Sequence, residues 1–314
     1  MRFGLFGTGH WAAETHAAAL EAHPRADLIG VWGRNPDKAA ALATRFGVPA
    51  FDDVDTLVEA CDAVAVALPP DVQADIAVRA ATAGRHLLLD KPLALSVADA
   101  DRVVEAAVGS GVASVVFFTA RYQPNVAGFI AATAAAGGWH TANVIRFASI
   151  FQPGSPYGQS PWRREHGALW DIGPHALAVL LPVLGRVTRV SASDGPGGLV
   201  HLLLSHAEGA TSTVSLTLDA PPRSVAAEFV LYGENGIERV PDGGASSATA
   251  FGVAIDQLLA EIDAGTRDHR CDVRFGREVV TVLAAAETAR EQRTVIDVPA
   301  WTGHEPAAAR RAGR

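Results

Sequence analysis

The chain has 314 residues, 49% hydrophobic and 19% charged, which is too apolar and too weakly charged for disorder and long enough for two domains or one large one. A formal net charge of −8 with no basic run excludes the electrostatic footprint of a nucleic-acid binder. Cys61 and Cys271 lie far apart without a CxxC pair, so no disulfide framework and no metal site is expected, and both read as small buried hydrophobes.

The opening MRFGLFGTGH enters a strand and a glycine turn at once, without the pattern of a signal peptide, and no unbroken apolar stretch reads as a bilayer span. A cytoplasmic protein without membrane contact is expected. Strand RFGLFG is followed by a helix from about Ala12 to Ala22, strand ADLIGVWG and a helix through Asp37 to Phe46. The rhythm continues through DAVAVALP, a helix over Asp71 to Ala83, HLLLDKP, a helix over Val97 to Ser110, and VASVVFFTA. These strands are continuous apolar runs, the mark of burial on both faces, so residues 1–120 are expected to form an α/β, doubly wound parallel sheet.

After about Ala120 the pattern changes. A helix near Asn125 to Ala136 precedes the strand WHTANVIRFASIF, the polar loop FQPGSPYGQSPWRREHG and a helix around Asp171 to Leu184. Strands follow at about 187–193, 199–206, 210–219 and 225–232 without intervening helices, which predicts a largely antiparallel sheet in an α+β domain over 121–303. Helices near 247–264 and 275–292 close the fold, and the tail 304–314 is expected to be disordered.

Gly7-Thr8-Gly9-His10-Trp11-Ala12 follows a strand and opens a helix, the context a GxGxxG/A dinucleotide fingerprint needs. The first glycine allows the tight turn, the second lets pyrophosphate approach the backbone, and the helix N-terminus offers oriented N–H groups to an anion. The second strand ends Val31-Trp32-Gly33-Arg34-Asn35, with no carboxylate where NAD-binding folds bond the ribose hydroxyls. Gly33 leaves room there, and the planar Arg34 guanidinium suits a 2′-phosphate, so NADP is expected, with NAD the alternative. Of 26 basic residues only Lys38 and Lys91 are lysine. Lys38, one helical turn beyond Arg34, adds charge at the same place, and Lys91 lies just past a buried strand, at the edge where doubly wound folds bind ligands. Asp171 and His175 are spaced i, i+4, which on one helix brings both side chains to one face.

The order of these motifs resembles the Gfo/Idh/MocA family over nearly the whole chain. The glycine turn, LPPDVQADIAVRAATAGRHLLLDKPLA, ARYQP and WRREHGALWDIGPHALAVLLPVLG carry the likeness. Asp90-Lys91-Pro92 is similar to the family's EKP motif, and Asp171-Ile172-Gly173-Pro174-His175 to its DxGxH motif. The resemblance implies an open-faced second sheet that joins homodimers or homotetramers, and a small-molecule substrate. It implies catalytic roles for Lys91, Asp171 and His175: His175 as proton donor and acceptor, Lys91 as stabiliser of a developing alkoxide, and Asp171 as a group that orients the histidine or binds substrate. It places Leu68, Pro69, Asp90, Trp162 and Arg163 beside the cofactor, and makes Arg121, Tyr122, Tyr157 and Trp170 candidate substrate contacts. Three positions depart from the pattern: Ala178 stands where many relatives carry a carboxylate, Gln73 where many carry a histidine, and Gly167-Ala168 where two glycines are common. A polyol contact is thereby lost, which counts against a sugar or inositol substrate. The chain is expected to be an NADP-preferring dehydrogenase or reductase acting on a carbonyl/carbinol carbon of a sugar-like or cyclic small molecule. A nicotinamide-dependent glycosidase and a non-catalytic dinucleotide-sensing regulator are the alternatives, and the intact Lys91, Asp171 and His175 set argues against the regulator.

Overall fold

The computed structural model describes residues 1–301, so the expectation for the tail 304–314 lies outside the described residues. Strands β1 (Arg2–Phe6), β2 (Asp27–Trp32), β3 (Ala50–Phe51), β4 (Ala63–Val66), β5 (His86–Asp90) and β6 (Ser114–Phe117) form a six-stranded sheet in the order β3-β2-β1-β4-β5-β6. Every pairing in it is parallel. The order reverses between β1 and β4, and at such a switch point the carboxyl ends of neighbouring strands open a crevice. A π-helical segment, Ala12–Ala17, running on into α1 (Ala18–Ala22), is joined by α2 (Pro36–Phe46), α3 (Val54–Ala60), α4 (Pro70–Thr82) and α5 (Val97–Gly109). Asn35, Asp53 and Ser96 cap α2, α3 and α5 by accepting backbone N–H bonds. The continuous apolar strands are buried as their composition predicts, and Cys61 and Cys271 are fully buried. In this sheet and its helices two elements escaped the sequence reading, the seven-residue α3 and the two-residue β3, both too short for periodicity to register, as were the strands Gly236–Arg239 and Ile296–Asp297 of the second sheet.

The second half contains α6 (Pro124–Ala136), β7 (Trp139–Phe147), α7 (Pro161–Asp171), α8 (Gly173–Leu184), β8 (Val187–Asp194), β9 (Val200–His206), β10 (Thr211–Thr217), β11 (Ala226–Gly233), β12 (Gly236–Arg239), α9 (Ser247–Ala264), α10 (Val273–Gln292) and β13 (Ile296–Asp297). Its seven strands run β12-β11-β7-β10-β9-β8-β13. All neighbours are antiparallel except β7 and β10, which pair in parallel. One face, carrying Ala142, Val144, Leu202, Leu204, Val214 and Leu216, is buried, while Leu203 on the other is 51% exposed, so the sheet is open-faced.

Three expectations need correction. The polar stretch taken as a loop contains α7, started by Pro161 at its first turn and broken by Gly167 (φ 64°, ψ −159°), which interrupts the helical pattern in the sequence. The α7–α8 run Pro161–Leu184 is, by length and composition, apolar enough to cross a membrane, although no span is expected from the sequence; 78% of its most apolar stretch is buried inside the fold. Third, α9 falls in the expected second domain by chain order but packs against the π segment, α1 and β6 of the first sheet. Phe251 fixes it there, with its ring centroid 4.0 Å from His16 and 4.9 Å from Phe117.

Candidate active site

The glycine turn, the ends of β4 and β5 and the start of α8 converge at the switch point, around a cleft of about 580 Å³. Its lining includes Thr8 to Ala12, Arg34, Asn35, Lys38, Leu68, Pro69, Asp90, Lys91, Tyr157, Trp162, Arg163, Asp171 and His175. Gly7 has φ 134°, and a Cβ there would collide with the Ala67 carbonyl, so only glycine lets β1 and β4 approach this closely. A Cβ on Gly9 would meet nothing within 4 Å, which leaves open floor where a diphosphate would cross the helix start. The chain thus has the cradle a dinucleotide requires. The room expected at Gly33 is already taken: the Thr8 side chain lies against its Cα.

Lys91 is held from two sides. Gln73, buried on α4, accepts from the Asp90 N–H at 2.9 Å and donates to the carbonyls of Asp90 at 2.7 Å and Pro92 at 3.0 Å, clamping the turn that carries the lysine. Gln73 is therefore part of the scaffold beneath the site. The Asp90 carboxylate accepts from the Trp11 indole N–H and, at 2.7 Å, from the Lys91 N–H, tying the glycine-turn helix to β5. Lys91 Nζ donates to Asp171 Oδ1 at 2.9 Å and to the Asp171 carbonyl at 2.6 Å. Arg163 Nε donates to Asp171 Oδ2 at 3.0 Å, and its guanidinium lies over the rings of Tyr157 and Trp162. Burial on its own raises the Asp171 carboxyl, but Lys91 and Arg163 outweigh it and bring the group down to about 2. Burial, helped by the positive charges of Lys91 and Arg146, pushes the His175 imidazole well below its ordinary 6.5, so it is neutral at pH 7.

The expectation that Asp171 orients His175 fails, because the i, i+4 argument needs one continuous helix. Here α7 ends at Asp171, α8 begins at Gly173, and Ile172 sits between them. The carboxylate turns to Lys91 and Arg163 instead, and among the described residues the His175 ring has no hydrogen-bond partner.

Three candidate substrate contacts are buried away from the cleft. Arg121 donates to the Ala178 carbonyl at 3.4 Å and lies over the Phe275 ring. The Tyr122 hydroxyl donates to the Val116 carbonyl at 3.0 Å. Trp170, one residue before Asp171 and so about 100° around the helix, is 1% exposed in the core. Tyr157 does line the cleft, its ring edge-on to His10.

A second cavity of about 340 Å³ shares Trp11 and His175 with the first, and Thr119, Ala120, Gln123, Arg146 and Val179 line it as well. The segment containing Arg121 reaches this cavity through its neighbours and not through Arg121 itself. Arg146 was missed; a charge at an inward position of the alternating strand WHTANVIRF was the signal for it.

Residues 1–118 match the oxidoreductase family with an NAD-binding Rossmann fold, and residues 141–238 match the GFO/IDH/MocA C-terminal domain. The chain belongs to the Gfo/Idh/MocA family. It is 29% identical over 218 residues to an uncharacterized oxidoreductase of Rhizobium meliloti, an alignment spanning 64% of this chain and 63% of that protein. It is 27% identical over 237 residues to D-xylose 1-dehydrogenase (NADP(+)) 2 of Haloferax volcanii, 70% of each chain. Levoglucosan dehydrogenase, solved with NADH and levoglucosan, superposes with a TM-score of 0.81 at 20% identity, covering 95% of this chain and 99% of that one, which shows a shared fold. The Gfo/Idh/MocA match thus supports the resemblance drawn from the glycine turn and the two short motifs.

Proposed function

We propose that the protein is a nicotinamide-dependent dehydrogenase or reductase acting on a carbonyl/carbinol carbon of a sugar-like or cyclic small molecule, with NADP preferred. The observation that carries this is the meeting of an open glycine turn, a lysine pinned by a buried carboxylate and a neutral histidine in one cleft. The bound dinucleotide supplies or accepts the hydride. Lys91 has three N–H donors and gives two to Asp171, which leaves one for the substrate oxygen, where it stabilises developing alkoxide charge. His175, neutral and without a protein partner among the described residues, takes the hydroxyl proton in oxidation and returns it in reduction. Asp171 stays ionised throughout and holds Lys91 in place.

The preference for NADP rests on Arg34 and Lys38, two cations on the cleft rim at the end of β2, where no carboxylate stands. We also place the protein in the cytoplasm, as a homodimer or homotetramer joined through the open sheet face where Leu203 is exposed. The test is a fluorescence titration with NADPH and NADH of the wild type, Arg34→Ala and Lys91→Ala. NADPH should bind more tightly than NADH, and Arg34→Ala should weaken NADPH selectively, by about tenfold to a hundredfold for a lost charged contact. Binding of neither nucleotide overturns the assignment, and equal weakening of both overturns the NADP preference.

A further inference from the structure

The period of two along β7 puts Arg146 in the inward-facing row of Ala142 and Val144, which are 0% and 1% exposed. Arg146 stands opposite Leu216 of β10 and Ala227 of β11, at the end of that row, where the sheet meets the second cavity. A guanidinium drawn into an apolar row is costly unless an anion meets it. Among the described residues, none pairs with it in an ion pair or side-chain hydrogen bond. The acids lining the cavity, Glu228 and Asp242, are both exposed to solvent, and neither is within 4.0 Å of it as an ion pair. Burial lowers the Arg146 guanidinium from its ordinary value, with no carboxylate opposing the effect. Its charge also reaches His175, which lines the same cavity.

We propose that Arg146 binds a carboxylate of the substrate, so that the substrate is a monosaccharide-sized hydroxy acid, of the uronate or aldonate class, rather than a neutral sugar. This rests on the assignment of His175 as the proton-transfer group. The cavity volume of about 340 Å³ suits one sugar ring or its open-chain acid. The parallel N–H donors of a single guanidinium match one carboxylate in bidentate fashion. One guanidinium balances a single negative charge, which matches a carboxylate rather than a dianionic phosphate.

The test is calorimetry on the enzyme saturated with NADPH, a dead-end pairing with hydroxy substrates, using D-glucuronate, D-gluconate, D-glucose and glucose 6-phosphate as probes. Wild type, Arg146→Gln and Arg146→Lys are compared. At least one acid should bind the wild type about tenfold or more tightly than glucose; Arg146→Gln should lose that preference and Arg146→Lys recover part of it. If NADPH binds but neither acid is preferred over glucose, or Arg146→Gln keeps the preference, the inference falls while the dehydrogenase assignment stands. Tighter binding of glucose 6-phosphate than of either acid overturns the choice of carboxylate. If only NADH binds, the same comparison on the NADH-saturated protein decides the inference; failure to bind either nucleotide removes the assignment beneath it. Where Arg146→Gln does not fold, the wild-type preference and the Arg146→Lys variant decide the question.

Discussion

Replacing Asp171 by Asn keeps the shape of the side chain and removes its charge, which leaves Lys91 and Arg163 facing each other without an anion. The Lys91 and Asp171 side chains are each 9% exposed, so solvent screens the pair little. A carboxyl held at about 2 in the fold and at an ordinary 3.8 in the unfolded chain contributes roughly 2 kcal/mol of stability at neutral pH. The folded value is the depressed one, so the contribution is full above 3.8 and is lost as pH falls toward 2; roughly half remains at pH 3. Asp171→Asn should therefore cost at least about 2 kcal/mol at pH 7, a fall in Tm of at least about 3 °C for a chain of this size. Urea unfolding of both proteins at pH 7 and pH 3 measures the effect, and the gap between wild type and variant should narrow by about half at the lower pH. A gap of equal size at both pH values refutes the electrostatic account of Asp171 and leaves only packing.

His175→Asn should reduce kcat by about a hundredfold or more while NADPH binding persists. Because the imidazole is depressed below 6.5, wild-type kcat/KM for oxidation should stay flat as pH falls through 6.5 and decline only below it; a midpoint above 6.5 in the pH profile contradicts the neutral-base role. The two glycines of the turn should separate stability from binding. Gly9→Ala, with open space around its Cβ, should keep the wild-type Tm and weaken NADPH, whereas Gly7→Ala, with φ 134° and a collision with the Ala67 carbonyl, should destabilise the protein by several kcal/mol. Equal loss of Tm in both variants would show that the turn serves the fold alone.

The first sheet was legible because each of its longer strands is an unbroken apolar run and each long helix carries its own cap or start signal, as at Asn35 and Ser96. The parallel pairing of β7 with β10 and the docking of α9 on the first sheet were not, since both depend on contacts between distant segments that no local period records. Within the site, residues carried by short fixed turns, Gly7, Gly9 and Lys91, stand at the cleft, and Asp171 reaches it from the end of α7. Errors clustered at Arg121, Tyr122 and Trp170, large polar or aromatic side chains whose direction is set by a helical rotation of about 100° per residue. On the 3-10 turn Thr119–Tyr122 the rotation is larger, about 120°, and an error of one residue turns a side chain from the cavity to the core: Thr119 and Ala120 line the cavity, and Arg121 and Tyr122 do not.

The break between α7 and α8 has a chemical consequence that a continuous helix would not allow. On one helix, Asp171 and His175 would share a face, and a carboxylate bonded to the imidazole would raise its pKa and occupy one of its nitrogens. With the chain interrupted at Ile172, the carboxylate bonds to Lys91 and Arg163, and the imidazole is left without a hydrogen bond from it, under burial and the positive charges of Lys91, Arg146 and Arg163 that outweigh the pull of Asp171. The two groups are driven apart in charge state: an anion that stays ionised down to about 2 fixes Lys91, and the imidazole is neutral, as the base of the proposed reaction would have to be. The proposed oxidation of an alcohol at neutral pH needs that division, and Gly173 lets α8 start close against α10, where a Cβ would press on Leu283 at 3.0 Å.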